Sequence, residues 1–167
     1  VYVNYRSFLN FDLSRLSGTV TGVSITLKRH DSLDYPDFFF VASEAGDSLA
    51  LTDYLDGIVG ASSYPFTSDA TKFIDSAHSP DDGGSDGDTI TINLNSAAVS
   101  HANSVIGSGK FKMAIINAHD FNDTYDDDDD GFGNALGVRG INFYSTDATA
   151  GSGHYPVLNV TTTVPVS

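Results

Sequence analysis

The chain has 167 residues, no cysteine, no tryptophan and a formal net charge of −14, from 8 Lys and Arg against 22 Asp and Glu. That length suits one domain, residues 1–167, with a two-layer core, and the charge excludes nucleic acid and anionic membrane as partners, because both need a positive footprint. Without cysteine an extracellular chain has no disulfide staple, and metal ions become the expected substitute. Glu44 is the only glutamate, so the acidity is almost wholly aspartate. Aspartate favours turns and loops where glutamate favours helices, and the expectation is a loop-rich β protein. No apolar run is long enough to span a membrane and no signal-like stretch or initiator Met is present. For a secreted protein the expectation is that its targeting segment is already removed.

In chain order, Val1 to Leu13 reads as a first strand, with Leu9, Phe11 and Leu13 alternating onto one face. Ser14 to Gly18 is a turn with a glycine exit. Val20 to Arg29 is a second strand, with Val23, Ile25 and Leu27 facing one way and Ser24 and Thr26 the other. His30 to Pro36 is loop. Asp37 to Ala42 is a short apolar run that suits a strand buried on both faces. Leu49 to Val59 is readable as a short helix or a strand. Tyr64 to Thr67 and Ala70 to Ile74 are short extended candidates, the first restricted to an edge by Pro65. After the polar loop Asp81 to Asp88, Thr89 to Leu94 is a strand with Ile90, Ile92 and Leu94 aligned. Asn95 or Ser96 then caps a short helix through Ile106, with Ala98, Ala102, Val105 and Ile106 as its stripe and Gly107 as its stop. Lys110 to Ala118 is the most apolar strand, His119 to Asn134 a long acidic loop, and Val138 to Tyr144 and Tyr155 to Val164 the last strands. Many short strands joined by Gly and Asp turns predict an all-β fold: an antiparallel β-sandwich of jelly-roll type with one short helix.

Two stretches carry a family resemblance. Arg6-Ser7-Phe8-Leu9-Asn10-Phe11-Asp12-Leu13-Ser14 is followed by the alternating strand from Thr19 to Leu27, and Ile141-Asn142-Phe143-Tyr144-Ser145-Thr146-Asp147 is followed by a Gly-rich turn and Tyr155-Pro156-Val157-Leu158-Asn159-Val160. This pattern resembles the start and finish of the DNRLRE-type modules, grouped with carbohydrate-binding module family 96. It covers both ends and leaves about Asp31 to Asp88 unmatched. The family carries a further strand before the Arg-containing one, whereas only Val1 to Tyr5 precede Arg6 here. The expectation is a processed product or an excised piece. The resemblance implies a secreted, glycan-binding or surface-structural β-sandwich.

The acidic loop is the strongest local signal for chemistry. Asp126 to Gly131 fits the D-x-D-x-D-G opening of an EF-hand loop, but the twelfth position is Gly137 where a bidentate Glu is required, and no flanking helices are evident. An EF-hand is therefore rejected. Calcium accepts six to eight oxygens from any loop that converges them, and a cation would relieve the repulsion among five successive aspartates. The candidate ligands are Asp120, Asn122, Asp123, Asp126, Asp128 and Asp130; the competing reading is a solvated loop without a ligand. The Asp81 to Asp88 loop favours a plain flexible connection over a second calcium site. His30, His78, His101, His119 and His154 have no zinc spacing, and no serine sits in a nucleophile elbow. A base role for His119 beside Asp120 is outweighed by an ordinary surface pair. Tyr35, Tyr54, Tyr64, Tyr125 and Tyr155 are candidate sugar-stacking platforms, with core or edge packing as the commoner fate. Arg6, in an apolar strand, needs a carboxylate partner, and Asp12 lies on the same face. Asn122-Asp123-Thr124 and Asn159-Val160-Thr161 are glycosylation sequons.

The sequence reading is a non-catalytic extracellular, cell-surface or virion module, stabilised by calcium, that decorates or builds an assembly such as a fibre or filament. Its partners would be other protein subunits, with glycans as further ligands and no membrane insertion. The alternative is a carbohydrate-binding module of a secreted polysaccharide-active protein. An enzyme acting on acidic polysaccharide ranks last, since a net charge of −14 repels that substrate.

Overall fold

The structure is a computed structural model that describes residues 6–29, 37–48, 50, 53, 57–61, 66, 69–79, 87–123 and 155–163. Among the described residues six strands form two antiparallel sheets. The first has the order β1 (Ser7–Asp12), β5 (Lys110–Asn117), β3 (Phe38–Ala42); the second has β4 (Thr89–Asn93), β2 (Thr19–Lys28), β6 (Val157–Thr163). Both sheets contribute to one hydrophobic core, so the fold is all-β and sandwich-like. Among the described residues, helices α1 (Ser96–Val105) and α2 (Ala118–Asn122) accompany the sheets. The second departs from the single-helix expectation. It occupies the first residues of the segment read as acidic loop, because Asn117 accepts the His119 N–H at 2.8 Å and opens a helical turn.

Register turns the alternation into layers. Leu9 pairs with Met113, Phe11 with Phe111, and Ala42 with Met113, so these side chains share the inner face of the first sheet. In the second sheet Ile25 pairs with Ile92 and Leu158, and Ile25 and Leu27 are fully buried. Burying each such side chain is worth about 1.5–3 kcal/mol. The run Phe38–Ala42 is buried on both faces, as its composition implies. Its second face is covered by α2, whose Phe121 ring lies 4.5 Å from that of Phe39, and by Lys72, whose ammonium lies 5.5 Å from the Phe39 centroid. Phe8, on that face of β1, is half-buried.

Helix α1 joins the sheets at the end where β2 and β5 begin. Its buried Ala98 and Ala102 allow close approach, and it packs against β2 and β5, one strand of each sheet. Asn95 caps it by accepting the Ala97 and Ala98 N–H groups. Asn103 pairs like a peptide with Val20: its Oδ1 accepts the Val20 N–H and its Nδ2 donates to the Val20 carbonyl, both at 2.9 Å. Nearby, Gly18 adopts φ +100°, and a Cβ there would lie 2.6 Å from the Thr163 carbonyl oxygen. Only glycine meets both conditions.

Candidate functional site

Two places gather side chains that do more than fill the core. The first is the start of the acidic segment. Asp120 is completely buried, and its carboxylate is clasped by Arg6: Nε donates to Oδ2 at 2.7 Å and Nη2 to Oδ1 at 2.9 Å. Both side chains are 1% exposed, and the guanidinium lies 4.5 Å from the centroid of Phe66. The partner of Arg6 is thus Asp120 and not Asp12. Arg6 and Asp12 do share a face, but Asp12 sits at the far end of β1, where it accepts the Ser14 N–H at 2.9 Å. The turn that carries α2 brings Asp120, 114 residues away in sequence, over the Arg6 end instead.

Of the other candidate calcium ligands, Asn122 and Asp123 are exposed at the end of α2, and Asp123 ends the helix in the left-handed conformation at φ 52°. Aspartate tolerates that region better than most residues. The geometry therefore separates Asp120, turned inward to Arg6, from Asn122 and Asp123, which face solvent. Asp126, Asp128 and Asp130 lie outside the described residues. Among the described residues no three His, Asp or Glu side chains are grouped as a metal site.

The second place is the outer face of the sheet β4-β2-β6. Outward positions there are Thr89, Thr91 and Asn93 on β4, Ser24, Thr26 and Lys28 on β2, and Val157, Asn159, Thr161 and Thr163 on β6. The strand pairing sets them in rows: Asn93, Ser24 and Asn159 lie side by side, and Thr91, Thr26 and Val157 form the next row. Cross-strand hydrogen bonds knit the rows, with Thr26 Oγ1 and Thr91 Oγ1 at 3.0 Å and Asn159 Nδ2 donating to Thr26 Oγ1 at 3.0 Å. Beside this array an open groove of about 490 Å³ runs over Gly22 to the first turn of α1, with Thr21, Asn93, Ser96, Asn159 and Thr161 on its rim. The concavity has a local cause. The pairing of β2 with β6 shifts between Val20 and Gly22, and Gly22 has no side chain to fill the space above Thr161. The rim is neutral, made of hydroxyls and amides that both donate and accept.

Tyr155, 48% exposed, lies two residues before β6 and is not among the residues lining the groove. Tyr35, Tyr54, Tyr64 and Tyr125 lie outside the described residues, as do His30, His154, Asp81–Asp86 and the Val138–Tyr144 strand candidate. His119 is exposed, and His78 edges the core beside Phe38, ring centroids 5.2 Å apart. His101 is held between Phe73 and Phe111, with ring centroids at 5.5 and 5.0 Å. The sequence reading passed over the groove. Its signal was present in the Ser, Thr and Asn residues at alternate positions of three strands, but which strands adjoin is not written in any one of them. No helix among the described residues is long and apolar enough to cross a membrane. No family model matches the chain, and neither a curated protein nor a solved structure matches it at a significant level.

Proposed function

We propose that this chain is a non-catalytic extracellular, cell-surface or virion module that attaches to other subunits of an assembly, built as a jelly roll of the DNRLRE type. The observation that supports it best is the outer face of β4-β2-β6. Its centre is a row of neutral amides and a hydroxyl, set by the pairing of Asn93 and Asn159 with Ser24, with Val157 and Lys28 farther along the same face. Such groups hydrogen-bond a partner surface and do not exchange protons near neutral pH. Calcium held by the acidic segment is the proposed stabiliser, with Asn122 and Asp123 at its described margin.

A second reading, a carbohydrate-binding module, is favoured by the amide- and hydroxyl-rimmed groove over Gly22, with exposed Tyr155, just before β6, as the aromatic candidate. Sugars are gripped by amide and hydroxyl contacts beside an aromatic ring.

The experiment is the solution mass by light scattering, with calcium and then with EDTA, followed by a glycan screen. An oligomer or filament supports the assembly reading, and its loss in EDTA assigns calcium to that step. A monomer in both conditions that binds a glycan, with binding lost in Asn93→Ala and Asn159→Ala, replaces it with the second reading. A monomer that binds no glycan refutes both for the isolated chain.

A further inference from the structure

Helix α1 is held at its two ends by amides, Asn95 and Asn103, and in its middle by a titratable ring. The His101 side chain enters between Phe73 and Phe111, and its Nε2 is buried with no hydrogen-bond partner among the described residues. Two phenyl rings suit a neutral imidazole. An imidazolium whose Nε2–H must sit in that slot loses its water and gains no acceptor in return.

Among the described residues no charged group compensates. Helix α1 carries no acidic or basic residue besides His101. On β5, Lys110 bridges to Asp47 at 2.6 Å and Lys112 donates to the Ala45 carbonyl at 2.8 Å. Next to Phe73, the Lys72 ammonium lies over the rings of Phe39 and Phe121, and Asp75 accepts from Asn95 Nδ2 at 2.8 Å. On β2, Lys28 is at the strand's last residue, beside Gly87, and Arg29 follows it. Burial is the one cause that moves the His101 imidazole from its ordinary value, and it moves it down.

We propose that His101 makes the docking of α1 proton-sensitive: at neutral pH the ring locks the helix across the two sheets, and in mild acid its protonation releases the helix and uncovers Phe73 and Phe111. The sign follows from linkage. Protons bind the released helix, whose ring titrates near the ordinary imidazole value of about 6.5, more readily than the docked one. Docking is at full strength above that value. It weakens as pH falls from it to the lower pKa of the docked ring, and changes no further below.

The test is amide hydrogen exchange of the whole chain at pH 7.5 and pH 5.0, corrected for intrinsic exchange, read in α1 from Val99 to Ile106 and in β5 as an internal reference. The expected result is a several-fold loss of protection in α1 at pH 5.0 that β5 does not share. His101→Gln and His101→Phe should both remove the difference, the second while keeping an aromatic ring between Phe73 and Phe111. The proposal is overturned by α1 protection that tracks β5 at both pH values, or by a loss that persists in His101→Phe. Should the variants not fold, NMR titration of the wild-type imidazole decides: a pKa below that of the unfolded chain supports the proposal, and one at or above it overturns it.

Discussion

Asp120→Asn is the most informative single change. The substitution keeps the shape of the side chain and removes its charge, so the Arg6 guanidinium, 1% exposed, loses the bidentate carboxylate that helps offset its desolvation. Breaking a buried pair by removing one partner costs about 3–5 kcal/mol, because the remaining charge stays buried. Against a total of about 5–15 kcal/mol for a domain, that is a large share. With an m-value of about 2 kcal/mol/M, the urea midpoint should fall by about 1.5–2.5 M, followed by circular dichroism. The two contacts of 2.7 and 2.9 Å predict strong coupling. Arg6→Leu should be similarly damaging, and the double variant Arg6→Leu with Asp120→Leu should recover much of the loss, since an apolar pair leaves no buried charge. An Asp120→Asn midpoint within experimental error of wild type, or strictly additive costs in the double variant, would refute the reasoning.

Other outcomes follow from single contacts. Gly18→Ala forces φ +100° on an L-residue and presses a Cβ against the Thr163 carbonyl at 2.6 Å; a loss of about 1–3 kcal/mol is expected in thermal or urea unfolding. Asn103→Ala removes both bonds to the Val20 backbone and should cost about 1–3 kcal/mol, with faster amide exchange at Val20 as its local mark. The Asp12 carboxyl is held below its ordinary value, chiefly by the Ser14 side chain and then by the Ser14 backbone N–H. Its contribution is present above the unfolded carboxylate value and disappears as pH falls through the lower folded one. Ser14→Ala should raise the Asp12 titration in carboxyl-carbon NMR part of the way back, and an unchanged curve would contradict the assignment.

Much of the architecture is legible in the chain because it is local. Alternation in Val23-Ser24-Ile25-Thr26-Leu27 and in Thr89-Ile90-Thr91-Ile92 specifies strands and their inward faces, and the structure has both. Asn95 before an Ala-rich stripe, with Gly107 after it at φ +77°, delimits α1 to within a residue. The doubly apolar Phe38–Ala42 reads as buried on both faces and is so. Each depends on neighbours a few residues apart, where backbone geometry and side-chain chemistry act directly.

Only the tertiary structure decided the rest. Arg6 announces that it needs an anion, yet same-face proximity along β1 points to Asp12, while the chain brings Asp120 over it from α2. The neutral groove exists because β4 and β6 flank β2, setting Asn93 and Asn159 on either side of Ser24 above a glycine. His101 is one unremarkable polar residue in sequence, and its setting between Phe73 and Phe111 arises from three segments meeting. The physical reason is common to all three. A local pattern fixes which way a side chain faces, but its partner is chosen by packing among strands and helices distant in sequence. That choice follows from burying the most apolar surface while matching buried charges such as Arg6 and Asp120, a property of the whole fold.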